Sequence, residues 1–325
     1  MTSYLRVLEQ LADGRFHAGP ALAASLGVSR AAVWKAVQRL AGLGVEVHAV
    51  RGRGYRLAAP LELLDAARIE AAVGPRARAL LRGIEVHREI DSTNRHLMQR
   101  AYNGAGSGLA CLADSQRAGR GRRGRSWYSP LGHNLYLSLL WRYAHGPEVL
   151  SGCSLAVGVV LAQLLQELGL QQVRLKWPND LLCGGRKLGG ILLETAGESG
   201  GPCSVVVGIG LNLRMPGQGV AIDQPWTDLA SALGERAPPL NRLAGAVLER
   251  LLPLLDAYPA SGFAAYQAEW RRFDALAGAR VALQLGERTV HGECRGVDAS
   301  GALLLLHDGV ERRYHGGEAS LRPAP

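Results

Sequence analysis

Five arginines and three glycines share the ten residues Gln116–Arg125, and no Asp or Glu follows until Glu148. The charge has no sequence-local partner, which predicts a loop that closes on an anion. Its glycines would let backbone N–H groups approach phosphate oxygens while guanidinium forks add bidentate contacts. A solvated basic loop is the plainer reading of such a run. The literal Gly-x-Gly-x-x-Gly at Gly119, Gly121 and Gly124 does not read as a dinucleotide fingerprint, because Ser126–Pro130 follows where a helix would have to begin. Further on, Lys176-Trp177-Pro178-Asn179-Asp180 predicts Asn and Asp side chains presented at a strand end, since Pro178 stops regular pairing. Lys187 precedes Gly189-Gly190, where absent side chains permit close approach by a ligand. Lys187 could instead pair with Glu194, and Trp127 and Trp177 could be core.

These residues need a scaffold. From the joint Ala58-Ala59-Pro60 to about Phe273, strand and helix patterns alternate. Strands are expected at 84–90, 109–113, 135–141 and 205–212, and a hairpin at 181–194 turns on Gly184-Gly185. Asp91-Ser92-Thr93-Asn94 is a polar turn opening a helix, and 154–168 is apolar nearly all round, so its helix should be deeply buried. Met215–Asp223, rich in Gly and Pro, predicts a second loop. Pro253 should kink or split the helix expected at 240–258. Phe263, Tyr266, Trp270 and Phe273 have the spacing of a core helical face. From Ala279 onward, short strands at 281–285, 290–297, 303–307 and 310–314 suggest a small barrel.

The N-terminus has a different character. A helix at 4–12, a second at 20–26, a turn at Gly27-Val28 and a third helix capped by Ser29 form a helix-turn-helix pattern. Val33, Val37 and Leu40 fall on one face of the third helix, leaving Arg30, Lys35, Gln38 and Arg39 elsewhere. The alternation at 45–49, followed by Arg51-Gly52-Arg53-Gly54, predicts a hairpin wing. Residues 1–60 carry eight Lys or Arg against three acids, +5 of the chain's +9, which favours DNA binding over a helical protein-contact module.

At 325 residues with 47% hydrophobic residues and 42 glycines, the chain has room for two or three globular domains. No signal peptide is evident, no run of about 20 uninterrupted apolar residues occurs, and a cytoplasmic protein without membrane contact is expected. Five scattered cysteines predict reduced thiols, and nine histidines show no ligand-like spacing, so no metal site is expected.

In order, Asp91-Ser92-Thr93-Asn94, the arginine loop, Lys176–Asp180, Lys187-Leu188-Gly189-Gly190-Ile191-Leu192 and Gly208-Ile209-Gly210-Leu211-Asn212 resemble the motifs of biotin protein ligases. With the two flanking units, the chain resembles the bifunctional biotin ligases and biotin operon repressors over nearly its whole length. That resemblance implies an α+β protein. It would have a winged helix-turn-helix at 1–60, a mixed-sheet α/β ligase domain at 61–276 and an SH3-like β-barrel at 277–325. It also implies formation of biotinyl-5′-AMP from biotin and ATP, and transfer to a lysine of a biotin carboxyl carrier protein of acetyl-CoA carboxylase. Mg²⁺ would accompany ATP, and a homodimer promoted by the adenylate would bind operator DNA.

Carried over by position, Ser92, Thr93, Gln116, Gly119, Arg120, Lys187 and Gly190 should meet biotin. Arg122, Arg125, Asn179, Asn212 and Trp226 should meet the nucleotide. Arg122, Lys187 and Asp180 would be catalytic, with Asp180 orienting or deprotonating the incoming lysine. Ser29, Arg30, Lys35, Gln38, Arg39, Arg51 and Arg53 would touch DNA. Gly189 stands where alanine is common in the family. A lipoate-protein ligase-like enzyme and a biotin-sensing repressor without ligase activity are the alternatives.

Overall fold

A computed structural model describes residues 3–197, 201–216, 222–316 and 319–323. The first unit comprises α1 (Ser3–Leu11), α2 (Gly19–Leu26), α3 (Arg30–Gly42) and an antiparallel hairpin of β1 (Val47–Val50) and β2 (Gly54–Leu57). Gly27 ends α2 at φ 64°, a left-handed conformation that a side chain would disfavour. The Ser29 Oγ then accepts from the Ala32 N–H at 3.1 Å to start α3. Leu8, Leu11, Leu22, Val33, Val37 and Leu40 bury the shared face, and Leu131 from the next domain completes that core.

Two short helices, α4 (Ala66–Ala71) and α5 (Pro75–Leu80), lead into the second unit. Neither was expected, because six residues give too few turns for a periodic signal. Next come β3 (Gly83–His87), α6 (Thr93–Tyr102), β4 (Leu109–Ala113), β5 (Asn134–Tyr143), α7 (Cys153–Glu167), β6 (Val173–Lys176), β7 (Asp180–Cys183), β8 (Arg186–Gly197) and β9 (Cys203–Asn212). They build one seven-stranded sheet in the order β3-β4-β5-β9-β8-β7-β6, in which only β3 and β4 run parallel. Closing the unit are α8 (Leu229–Leu233), α9 (Leu240–Ser261) and α10 (Gln267–Phe273).

On one face of the sheet, α7 and α9 cover the main core; on the other lies α6, packing Leu97 and Ala101 against Cys111, Leu140 and Val206. The segment Pro147–Glu167 is long and apolar enough to cross a membrane by composition, but most of it is buried inside this core. Of the kink or split expected at Pro253, the split does not occur: α9 continues through both Pro253 and Pro259. An interior proline costs about 3 kcal/mol, and the buried Leu243, Val247, Leu248, Leu251 and Leu255 offset it. Phe263, Trp270 and Phe273 are core as predicted, although Phe263–Tyr266 is a separate 3₁₀ turn.

The third unit is a five-stranded antiparallel sheet of β10 (Arg280–Leu285), β11 (Arg288–Val297), β12 (Leu303–His307), β13 (Val310–Tyr314) and β14 (Ala319–Pro323) in the order β13-β12-β11-β10-β14. The last strand was not foreseen from sequence. The Trp177 indole N–H donates to the Gly301 carbonyl at 3.1 Å, tying this unit to the Lys176–Asp180 motif.

Candidate functional site

Because alternate residues of a strand share a face, the sheet register alone aligns several motifs. Lys176 pairs with Asp180, Asp180 with Gly190, Gly190 with Gly210 and Gly210 with Tyr136, a single row across four neighbouring strand pairs. The adjacent row on the same face places Leu192 beside Gly208 and Gly208 beside Ser138. Glycines at 190, 208 and 210 leave a shallow floor, and the N-terminus of α6 and the arginine loop rise around it. The result is a cavity of about 1140 Å³.

Ser92, Thr93, Gln116, Arg120, Arg122, Arg125, Asn179, Asp180, Lys187, Gly190, Asn212 and Trp226 all line this cavity. Gly119 does not. It is buried behind the wall, where an added Cβ would lie 2.5 Å from the Trp127 carbonyl oxygen, so its small size serves loop packing rather than ligand contact. The Met215–Asp223 loop reaches the cavity through Pro216, Ile222 and Asp223; residues 217–221 lie outside the described residues.

The arginine loop is an ordered turn. The Gly121 N–H donates to the Arg125 carbonyl at 2.7 Å, the Trp127 N–H donates to the Gly119 carbonyl at 2.9 Å, and Arg123 takes φ 58°. Its guanidiniums have intramolecular partners that the sequence did not reveal: Arg117 pairs with Asp91 at 2.7 Å and with Glu89 at 3.0 Å, and the Arg125 Nε donates to the Arg122 carbonyl at 3.4 Å. Arg120 pairs with Glu194 at 2.8 Å, and Arg122 donates to the Asn179 Oδ1 at 3.4 Å and to the Gly316 carbonyl of the C-terminal unit. Burial and the neighbouring Arg125 charge push the Arg122 guanidinium below its ordinary value. An anion placed there would relieve both effects.

Lys187 pairs with Asp180 at 2.7 Å rather than with Glu194, and Lys176 takes the other Asp180 oxygen at 2.9 Å. Burial would raise the Asp180 carboxyl, but the two ammonium groups outweigh it and hold the group below the ordinary carboxylate range. A strongly ionised carboxylate is a weak proton acceptor for an amine, so its environment suits orientation better than general-base work. The backbone of Lys187 is clamped between the Pro225 carbonyl and the Thr227 N–H, each at 2.9 Å.

Polar groups also converge at the α6 end. The Gln116 Oε1 accepts from the Thr93 N–H at 2.9 Å and lies 3.1 Å from the Thr93 Oγ1. The Ser138 Oγ lies 2.7 Å from the Thr93 hydroxyl and 2.6 Å from the Asn94 Oδ1, and the Asn94 Nδ2 donates to Glu194 at 2.9 Å. Asn94 and Ser138 had no assigned role in the sequence, and Glu194 figured there only as an alternative partner of Lys187. Asn94 stood within a quoted motif, whereas Ser138 sits in an otherwise apolar strand. Trp127 is not core: its ring lines the cavity 5.4 Å from the Lys187 Nζ, and its buried Nε1 has no hydrogen-bond partner among the described residues. Trp177, by contrast, is only 2% exposed and is a bracing core residue.

Away from this cavity, Arg30, Lys35, Gln38 and Arg39 are exposed on α3, and Arg51 and Arg53 on the hairpin turn. Ser29 is also exposed, but its oxygen already serves the cap. Arg53 stacks on Phe16 at 4.1 Å, and Trp34, 54% exposed, stands among the basic residues of α3 without having been anticipated. One further meeting escaped the spacing argument: His87, His96 and Cys111 come together beneath α6.

Comparison with known proteins agrees with this architecture. Residues 86–212 match the biotin/lipoate A/B protein ligase family, 5–56 an HTH domain and 277–322 the biotin protein ligase C-terminal domain. The chain is 42% identical to the bifunctional ligase/repressor BirA of Salmonella typhimurium, over 98% of both chains. It is 41% identical to that of Escherichia coli K12, over 98% of this chain and 97% of the relative. Among solved structures, the biotin protein ligase from Aquifex aeolicus in complex with biotin and ATP superposes with a TM-score of 0.64 at 29% identity, covering 75% of this chain and 100% of that one. Similarity at this level along almost the entire chain shows that it belongs to the biotin protein ligase family.

Proposed function

We propose that this protein joins biotin to ATP as biotinyl-5′-AMP, passes the biotinyl group to a lysine of a biotin carboxyl carrier protein, and represses transcription through its winged helix. The observation that carries the ligase reading is the arginine loop facing Lys187 and Asp180 across one cavity. The biotin carboxylate attacks the α-phosphorus and pyrophosphate leaves. The acceptor amine then attacks the biotinyl carbonyl and AMP leaves. Both partners of the first step are anions, so cations and fixed donors must hold them together before reaction.

In this reading Arg122 and Arg125 neutralise phosphate oxygens, and Asn179, Asn212 and Trp226 hold the rest of the nucleotide. Lys187 meets the biotin carboxylate and then the ester. Ser92, Thr93, Gln116, Arg120 and Gly190 surround the biotin body, and Asp180 steers the acceptor amine once Lys187 has turned to the ligand. Mg²⁺ would enter on the phosphates. Asp180 is committed to two lysines and Glu89 to Tyr4 and Arg117, which favours an ion carried mainly by substrate oxygens over a protein cage. The units take the boundaries 1–60, 61–276 and 277–325. The acceptor is the carrier of acetyl-CoA carboxylase, and the protein acts in the cytoplasm without a membrane.

Repression would use a homodimer promoted by the adenylate, so that two winged helices meet a two-fold operator. The test incubates the protein with ATP, Mg²⁺ and labelled biotin, with lipoate in parallel, and follows adenylate formation and carrier labelling. Labelling with lipoate instead of biotin would overturn the substrate, and binding of biotin without adenylate would leave only a sensor.

A further inference from the structure

We propose that His87, His96 and Cys111 form a zinc site separate from the ligand cavity and from the DNA-binding surface. The sheet register brings the three together: Glu85 of the edge strand β3 lies opposite Cys111 of β4, and His87 lies two residues on, on the same face. The helix α6 covers that face and supplies His96. Each of the three can bring one ligand atom so that all lie within 4.8 Å of one another.

Three observations distinguish this cluster from ordinary polar packing. Cys111 is fully buried, and the buried Nε2 of His87 has no hydrogen-bond partner among the described residues. The two imidazole rings meet edge to face with centroids 4.9 Å apart. On His96 the Nε2 sits 2.5 Å from a Glu85 oxygen, and Arg100 holds the other Glu85 oxygen at 3.1 Å. A carboxylate on one imidazole nitrogen is the arrangement that orients a histidine whose other nitrogen ligates a metal.

Two imidazoles and one thiolate suit a borderline-soft divalent ion, and zinc takes such a set with water in the fourth place. Bonds of about 2.0–2.3 Å would bring tetrahedral ligand atoms to roughly 3.3–3.8 Å apart. The site therefore closes by about 1 Å, which small side-chain rotations supply. On binding, the thiol proton passes to the buffer and the sulfur–zinc bond replaces it. His96 lies three residues beyond Thr93, so an ion here fixes the helix whose first turn walls the ligand cavity.

The experiment uses full-length, tag-free protein stripped with a chelator and titrated with Co²⁺, then Zn²⁺. One equivalent of Co²⁺ should produce tetrahedral visible bands and a thiolate-to-cobalt charge-transfer band, both bleached by Zn²⁺. Cys111→Ser should abolish the charge-transfer band. His87→Ala, at a partly buried position outside the hydrophobic core clusters, should weaken Co²⁺ binding at least tenfold, with biotinyl-AMP formation retained as the sign of an intact fold. Absence of the charge-transfer band in the wild type, its survival in Cys111→Ser, or unchanged affinity in His87→Ala would overturn the proposal.

Discussion

Asp180 is the residue on which the local electrostatics turn. Its side chain is 11% exposed and carries Lys187 and Lys176 on its two oxygens. Because its folded-state acidity lies on the low side of the ordinary carboxylate value, its stabilising contribution is present above that value and disappears as pH falls through the folded one. Asp180→Asn should therefore cost up to about 3 kcal/mol at neutral pH by leaving two lysines unpaired. The difference from wild type in denaturant unfolding should stay level above about pH 5 and shrink below about pH 4. A gap that widens on acidification would contradict the ion-pair account. Lys187→Met should slow adenylate formation by about a hundredfold, the loss typical of one oriented donor to a developing charge. Single-turnover assays with labelled ATP measure it.

At the scale of elements, strand β9 and the arginine loop act against each other. An added Cβ at Gly210 would lie 2.4 Å from the Trp127 ring, so Gly210→Ala should displace the indole and raise the biotin KM with a smaller change in kcat. Equal effects on both constants would argue for a different role of the Trp127 wall. Arg122 joins the loop to Asn179 and to the C-terminal unit. Its removal takes away a charge-assisted contact worth about 1.5–3 kcal/mol. Arg122→Ala should accordingly speed adenylate dissociation by roughly ten- to a hundredfold, read by chase with unlabelled biotin. Unchanged release would place the loop outside the ligand's contacts.

Across the whole molecule, the winged helix is bolted to the ligase domain. The Tyr4 hydroxyl donates to Glu89 at 2.7 Å, and Glu89 also takes Arg117 of the arginine loop at 3.0 Å. Arg88 bridges Glu9 of α1 and Asp114 at 2.8 and 2.7 Å. The end of α3 at Ala41 and Gly42, with Leu43 and Gly44 that follow it, reaches the rim of the cavity itself. Site and winged helix thus share a polar network, and a coupling between two sites must act equally in both directions. Tyr4→Phe should weaken biotin binding and alter operator affinity by the same factor in their mutual dependence, measured by calorimetry with and without DNA. By contrast, Arg30→Ala and Lys35→Ala should weaken operator binding while sparing adenylation, each lost phosphate contact lowering the salt slope by about one.

Local chemistry was legible in the chain wherever one segment sufficed to specify it. The Ser29 cap, the turn at Gly27, the basic hairpin, the buried α7 and the first four strands of the C-terminal unit all rest on neighbours within a few residues. The short α4 and α5 and the strand β14 carried too little periodicity to be seen, and the persistence of α9 through Pro253 depended on packing that no window contains. Residue type determined the charge of the ligand, since guanidiniums, a lysine and bare glycines in sequence call for an anion, and motif order carried the resemblance that supplied the rest.

Which partner each charge takes was decided only by the tertiary structure. Sheet register put Asp180, Gly190 and Gly210 in one row, and packing of side chains and loop against that sheet gave Lys187 to Asp180 and Arg120 to Glu194 and left Gly119 behind the wall. Register likewise joined His87 and Cys111, whose separation along the chain hid them. The reason is geometric. Side-chain type is written residue by residue, whereas a distance between residues far apart in sequence exists only after strands pair and a one-residue slip would turn each of them to the opposite face.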